Sequence, residues 1–310
     1  MKLSTFELLK NSQSEGGFYL SDSQLKTLQN TLLMILTDIS SLAERNGIPL
    51  YLGSGTVLGA IRHKGFIPWD DDIDVNIERR FYDDFIALMR RERSDTYWIH
   101  TPETTHNYGI LSTRIRMKGT SVRLREDDYS DEHGVCLDVF PIENTFDNTV
   151  LRILQGMLCM GTGFLLSCRK FYRDREKLKN LFHEQRLRIY VYYIKSAIGF
   201  LVSWGDVDFW THAVRNANSV CKNNQSRFVS VPAGRGHFFK ELYVRKDFCG
   251  KEKRLFEGKA FYCTSDPDSY MKALYGDSYM QIPPKEKREK HMFFSFSIPD
   301  AEEKESLSKG

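Results

Sequence analysis

With 310 residues, 41% of them hydrophobic and 13% aromatic, the chain can bury a substantial core in one large domain or two modest ones. Its 44 basic and 41 acidic side chains leave a formal charge of +3, and that near balance speaks against a nucleic-acid partner, for which a strong basic excess is expected. Six cysteines (Cys136, Cys159, Cys168, Cys221, Cys249, Cys263) are scattered without a C-x-x-C pair or a histidine at zinc-ligand spacing, and they read as reduced thiols.

The opening "MKLSTFELLKNSQSEGG" lacks the continuous apolar run of a secretion signal, so a cytoplasmic location is expected. Ser21 then stands three residues before Gln24 as a capping box. Leu25, Leu28, Leu32, Ile35, Ile39 and Leu42 follow at helical spacing until Gly47, which predicts an amphipathic helix packed on a core. Next come a short buried strand in "IPLYLG", a turn into a short helix in "SGTVLGAIRH", and a second strand in "DIDVNI". "ERRFYDDFIALMRRE" supplies a further helix with Phe81, Phe85, Leu88 and Met89 on one face.

Alternation in "GILSTRIRMKGTSV" sets Ser112, Arg114 and Arg116 on one side of a strand and Leu111, Thr113, Ile115 and Met117 on the other. In the strand-like "HGVCLDVFPI", Asp138 is the one charged residue among apolar neighbours, a costly placement unless it is paired or binds a metal. From about residue 149 the character changes. Two apolar stretches, "VLRILQGMLCMGTGFLLSC" and "IYVYYIKSAIGFLVSW", flank the charged "RKFYRDREKLKNLFHEQRLR", which reads as a helical insertion over about 149–220. Strand-like pieces follow in "RFVSVPA" and "RLFEGKAFYC". "DPDSYMKALYGDSYMQIPP" reads as a helix stopped by Pro-Pro, and the tail at 301–310 as disordered.

The densest chemistry lies in "GFIPWDDDIDVNI", residues 65 to 77. Residues i and i+2 of a strand share a face, so Asp72 and Asp74 project together while Ile73 and Val75 face the core. Two carboxylates at that distance make a hard-oxygen site suited to Mg²⁺ or Mn²⁺. A calcium loop is excluded. Asp70, Asp72 and Asp74 fit its first ligand positions, but Val75 stands where the sharp-turn glycine belongs and Phe81 where the bidentate glutamate belongs. Upstream, "LGSGT" (Gly53, Ser54, Gly55, Thr56) could let backbone N–H groups at a helix mouth approach a phosphate, with the Ser54 or Thr56 hydroxyl assisting.

These residues carry a resemblance. "YLGSGTVLGAIRHKGFIPWDDDIDVNI" resembles the signature of the LicD family, and "TRIRMKGTS", "LDVFPI", "LFEGKAFY" and "YGDSYMQIPPKEKREKH" resemble its later blocks in order. The likeness runs from about Leu25 to His291, apart from the insertion. It implies an α+β fold like that of DNA-polymerase-β-type nucleotidyltransferases, a mixed sheet with flanking helices, as in the related fukutin and fukutin-related protein. A single catalytic domain over 1–300 is expected. One departure is Asn76, where the family more often has a small or apolar residue; it is expected to face away from Ile77 and do little harm.

The resemblance further implies transfer of a phospho-substituent, such as phosphocholine from CDP-choline or phosphoribitol from CDP-ribitol, onto a hydroxyl of a cell-surface glycan or its lipid-linked precursor. In that reading Gly53 and Ser54 hold donor phosphate, and Asp72 and Asp74 hold the metal. Asp138 is the third carboxylate, and Asp70 is a further ligand or an orienting group. Arg114, Arg116, His63 and Lys64 are candidates to steady phosphate oxygens. A synthetic nucleotidyltransferase and a non-catalytic binding protein on the same fold are the alternatives. The stretch 150–204 is expected to touch the inner membrane face, where a lipid-linked acceptor would lie.

Overall fold

The computed structural model describes residues 16–124, 127, 130–182 and 186–299. The expected tail at 301–310 lies outside them.

Helix α1 (Asp22–Arg45) begins at the capping box that Ser21 and Gln24 form reciprocally, and ends before Gly47, which takes a left-handed φ of 72°. Its apolar stripe, Leu28, Leu32, Ile35, Leu36 and Ile39, is buried in the main core. Strand β1 (Tyr51–Leu52) leads through Gly53 into α2 (Ser54–Arg62), and β2 (Asp74–Glu78) returns antiparallel to β1 before α3 (Arg79–Arg93). Strands β3 (Tyr97–His100), β4 (Thr113–Met117) and β5 (Ser121–Leu124) precede the long β6 (Cys136–Asn144), whose apolar residues Leu137, Val139 and Ile142 are fully buried.

Four helices then form the expected insertion: α4 (Thr149–Arg173), α5 (Arg175–Phe182), α6 (Arg186–Leu201) and α7 (Val207–Asn218). The chain re-enters the sheet with β7 (Phe228–Ser230). It continues through α8 (His237–Lys240), β8 (Leu242–Val244), α9 (Arg245–Phe248) and the hairpin of β9 (Lys253–Phe256) and β10 (Lys259–Tyr262). Helix α10 (Pro267–Tyr275) stops at Gly276 (φ 84°), not at the Pro-Pro pair expected to end it, because glycine reaches that conformation about two turns earlier. Strand β11 (Phe293–Ser297) pairs with β5 in a separate two-stranded sheet.

The main sheet is mixed, ordered β3-β4-β6-β2-β1-β10-β9, with β7 and β8 extending from β6. Its centre is the parallel pair β2–β6, and a second parallel pair joins β1 to β10 (Tyr51 opposite Tyr262). This is the expected α+β architecture. All six cysteines are free thiols.

Candidate active site

The β2–β6 register sets Asp74 opposite Asp138, and the β4–β6 register sets Arg114 on the other side of Asp138. Two carboxylates far apart in sequence thus become neighbours at the N-terminal ends of adjacent parallel strands. Regular strand begins only at Asp74, but Ile73 already joins the ladder, its carbonyl accepting from Asp138 N at 3.1 Å. The sequence expectation for the side chains holds here: Ile73 and Val75 are fully buried, which leaves Asp72 and Asp74 on the opposite side.

The turn at Gly53 fixes Asp74 from both backbone ends. Gly53 N donates to Asp74 O at 2.9 Å, and Asp74 N donates to Thr56 Oγ1 at 2.9 Å. The Thr56 hydroxyl therefore anchors the start of the strand. Ser54 sits at φ 35°, a strained conformation for a residue with a Cβ, and its N–H donates to the buried Tyr270 hydroxyl at 2.9 Å. Gly55 faces Asp70: a Cβ there would lie 3.2 Å from Asp70 Oδ2. The first turn of α2 and the Asp70 carboxylate accordingly share one small space, where a phosphate on the helix N-terminus and a cation on the carboxylate would meet.

Asp70 is presented by a turn in which its N–H reaches Ile67 O, while its own carbonyl accepts from Gln29 on α1 at 2.9 Å. Burial raises the pKa of Asp70 well above the ordinary carboxylate value, and the charges of Asp72, Asp71 and Asp74 push the same way. Asp72 is pushed up to about 6, by burial first, with His291 pulling in the opposite direction. Asp74 is raised by burial, then by Asp72, Asp138 and Glu241. Crowded carboxylates held where ionisation is this unfavourable are the donor set a hard divalent cation neutralises, and Mg²⁺ or Mn²⁺ fits them.

Asp138 is held from its own side: Ser112 Oγ donates to its Oδ1 at 2.8 Å, and Arg114 Nε at 3.3 Å. Arg114 and Arg116 are both buried, and both donate to Asp127, Arg114 at 2.7 Å. Arg114 thus joins Asp138 to the buried Asp127, which Arg116 also contacts together with Gly134 O at 3.2 Å. His63 and Lys64 follow the C-terminal end of α2, about 13 Å along the helix from its N-terminus at 1.5 Å per residue. There His63 accepts from Arg62 Nε at 2.9 Å and Lys64 turns the chain at φ 61°.

Several residues at the site carry no signal in a local reading. Asp71 accepts from His291 twice, from Nδ1 at 2.6 Å and from the backbone N at 3.0 Å. Among the described residues Asp71, Asp72 and His291 form a trio whose ligand atoms lie within 4.8 Å of one another, so His291 joins the candidate metal ligands. The segment before it is pinned by Arg288 over the Trp69 ring at 4.1 Å and by Arg235 paired with Glu289, and it forms a strap beside the aspartates. Its only forewarning in the sequence is the family-like block ending in His291. Glu241 is fully buried on the inner side, with Gly236 N donating to Oε1 at 2.7 Å, and burial pushes it up to about 7. Asn76, expected to be inconsequential, is buried under the turn: a Cβ on Gly53 would sit 3.1 Å from its Nδ2.

The parallel pair β2–β6 thus brings carboxylates beside the first turn of a helix in an α+β domain. Residues 47–154 match the family model described as "LicD/FKTN/FKRP, nucleotidyltransferase domain". The matched stretch includes the Gly53 turn and Asp70, Asp72, Asp74 and Asp138. The chain is 47% identical over 79 residues to the lipopolysaccharide cholinephosphotransferase LicD of Haemophilus influenzae, which covers 26% of this chain and 30% of that one. It is 41% identical over 77 residues to an uncharacterised protein of Rickettsia prowazekii, covering 23% of this chain and 28% of that one. The matched stretches thus span less than a third of either relative.

Proposed function

We propose that the chain is a cytoplasmic, Mg²⁺- or Mn²⁺-dependent phosphotransferase that moves phosphocholine, or a close analogue, from a CDP-linked donor to a hydroxyl of a glycan or its lipid-linked precursor. The observation that carries this reading is the register of Asp74 against Asp138 beside Asp72, within reach of the mouth of α2. The Haemophilus relative, a lipopolysaccharide cholinephosphotransferase by name, supports the headgroup and the kind of acceptor.

In this reading Asp72, Asp74 and Asp138 hold the metal, with Asp70 or His291 completing its shell. A bound divalent ion would supply charge neutralisation for the diphosphate and the departing nucleotide. The first-turn N–H groups of α2, aimed by the strained Ser54 turn, orient donor phosphate oxygens. Ser112 and Arg114 hold Asp138 in place. The acceptor hydroxyl oxygen attacks the distal phosphorus as its proton passes to one of the site's carboxylates, the bond from that phosphorus to the bridging oxygen breaks, and CMP leaves.

The test is transfer from CDP-choline, CDP-ribitol, CDP-glycerol or CDP-ethanolamine to a lipopolysaccharide-type acceptor, read as CMP release and labelled acceptor. Asp138→Asn should cut kcat at least 100-fold at an unchanged melting temperature. Pyrophosphate release from CTP in place of CMP release from the CDP donors would overturn the reading, and so would near-normal turnover of a folded Asp138→Asn protein.

A further inference from the structure

We infer that α4 and α6 form a lipid-binding face that lays the domain on an anionic membrane surface. This goes beyond the proposed transfer and does not rest on it. Near its N-terminal end α4 exposes Val150, Leu151, Ile153, Leu154, Met157 and Leu158, with Val150 65% and Met157 53% exposed. Spacing of i, i+3, i+4, i+7 and i+8 puts them on one broad stripe. A contiguous apolar surface of this kind on a folded domain marks a binding face.

Helix α6 runs antiparallel beside α4. Lys195 Nζ donates to Ser167 Oγ at 2.9 Å, and at Gly199 the helices come so close that a Cβ would lie 2.1 Å from the Cys168 carbonyl. That pairing sets Leu201 and Trp204, 73% and 71% exposed, beside the last third of α4, where Arg169 Nε donates to Gly205 O at 2.9 Å. Tyr190, Tyr193 and Trp204 are all more than half exposed, and aromatic rings with polar tips favour the boundary between water and lipid.

Charge selects the occupant. Neither Thr149–Arg173 nor Arg186–Leu201 contains an aspartate or a glutamate, and the basic-rich run "RKFYRDREKLK" over 169–179 spans the end of the first and the start of the link between them. A second copy of this chain would bring to that run only Asp174 and Glu176, which already pair with Arg173 and Arg175. Anionic headgroups would meet that charge, while acyl chains cover the apolar stripe.

Helix α4 is long and apolar enough to cross a bilayer by length and composition, yet its other side is bonded to the domain along its length. Gln155 Nε2 donates to Asn144 O at 2.9 Å, Cys159 Sγ to Ala217 O at 3.5 Å, and Lys170 Nζ to Gly109 O at 2.8 Å. A helix tied down in this way lies along the membrane plane. Its basic end rests on the loop of Asn107 and Gly109, which runs on to Ser112 and hence to Asp138. The lipid-facing helix and the carboxylate site are therefore joined by one short segment.

The experiment is flotation of the full chain with phosphatidylcholine vesicles, with and without 30% phosphatidylglycerol, at low and high salt. The chain should float with the anionic vesicles at low salt and bind less at high salt. Leu154→Glu with Met157→Glu should cut the bound fraction tenfold or more at unchanged circular dichroism and melting temperature, since both side chains are about half exposed. Should that pair fail to fold, Val150→Glu with Ile153→Glu reads the same contact. The inference is overturned if the wild-type chain ignores anionic vesicles at low salt, if folded glutamate variants float as well as wild type, or if the glutamates merely dissociate a dimer in a chain that never floats.

Discussion

Replacing Asp72 by Asn should make the metal-free protein more stable and, in the same step, blind to metal. Burial and neighbouring carboxylates raise the Asp72 pKa from 3.8 to about 6 in the folded chain. Below pH 4 both states hold the proton and nothing is gained or lost. Between about pH 4 and 6 the unfolded chain releases its proton first, so stability falls as pH rises and levels off above the folded pKa. Roughly two pKa units at 1.36 kcal/mol each give a cost of about 3 kcal/mol at pH 7.5. Asn keeps the size and removes the charge, which should raise the melting temperature in chelator by about 5 °C or more. The assay is thermal unfolding of both proteins in EDTA from pH 4 to 8, read as the difference between the two curves. That difference should open between pH 4 and 6 with the variant above. Adding Mg²⁺ at a hundredfold excess over its Kd should then stabilise the wild type by about 2.7 kcal/mol and the variant far less. A variant less stable than wild type in EDTA at pH 7.5, or one that responds to Mg²⁺ as wild type does, would refute the reasoning.

Asp127→Ala leaves the buried Arg114 and Arg116 without their shared carboxylate and should cost about 3–5 kcal/mol in urea unfolding; a loss under 1 kcal/mol would show the pair to be solvated. Tyr270→Phe removes the acceptor for Ser54 N–H and frees the strained turn, so CDP-choline affinity measured by calorimetry should fall several-fold at nearly unchanged metal affinity. Equal affinity for the nucleotide would mean the turn holds without that bond.

Much of the site was legible because it is local. The alternation that buries Ile73 and Val75 is written in seven residues, and so is the Gly-Ser-Gly turn into α2. Asp138 could be singled out because a lone carboxylate in an apolar strand requires a partner, and the β2–β6 register supplies one. Arg114 and Arg116 show where such a pattern stops informing. Alternation reports that two side chains share a face, but not whether that face meets solvent, and Asp127 that neutralises them comes from outside any periodic segment. Tyr270, Glu241 and His291 reach the site through long-range packing, which no local pattern encodes. The helical insertion was clear from composition, whereas the end of α10 was misplaced because a glycine in a left-handed conformation outranks a proline pair further on.

The parallel pairing of β1 with β10 and the anchoring of Asp71 by His291 carry a consequence for biosynthesis. The aspartates leave the ribosome early, but Tyr262, Tyr270 and His291 follow only after the whole insertion has been made. At translation speeds of about 5–20 residues per second, the carboxylate-bearing strand waits on the order of ten seconds or more for them. During that interval β1 has an open edge and Asp71 lacks its clamp. The nascent chain is then exposed to mispairing and proteolysis at the segment that carries the chemistry. A fragment ending at residue 154, where the family match ends, would be trapped permanently in that state.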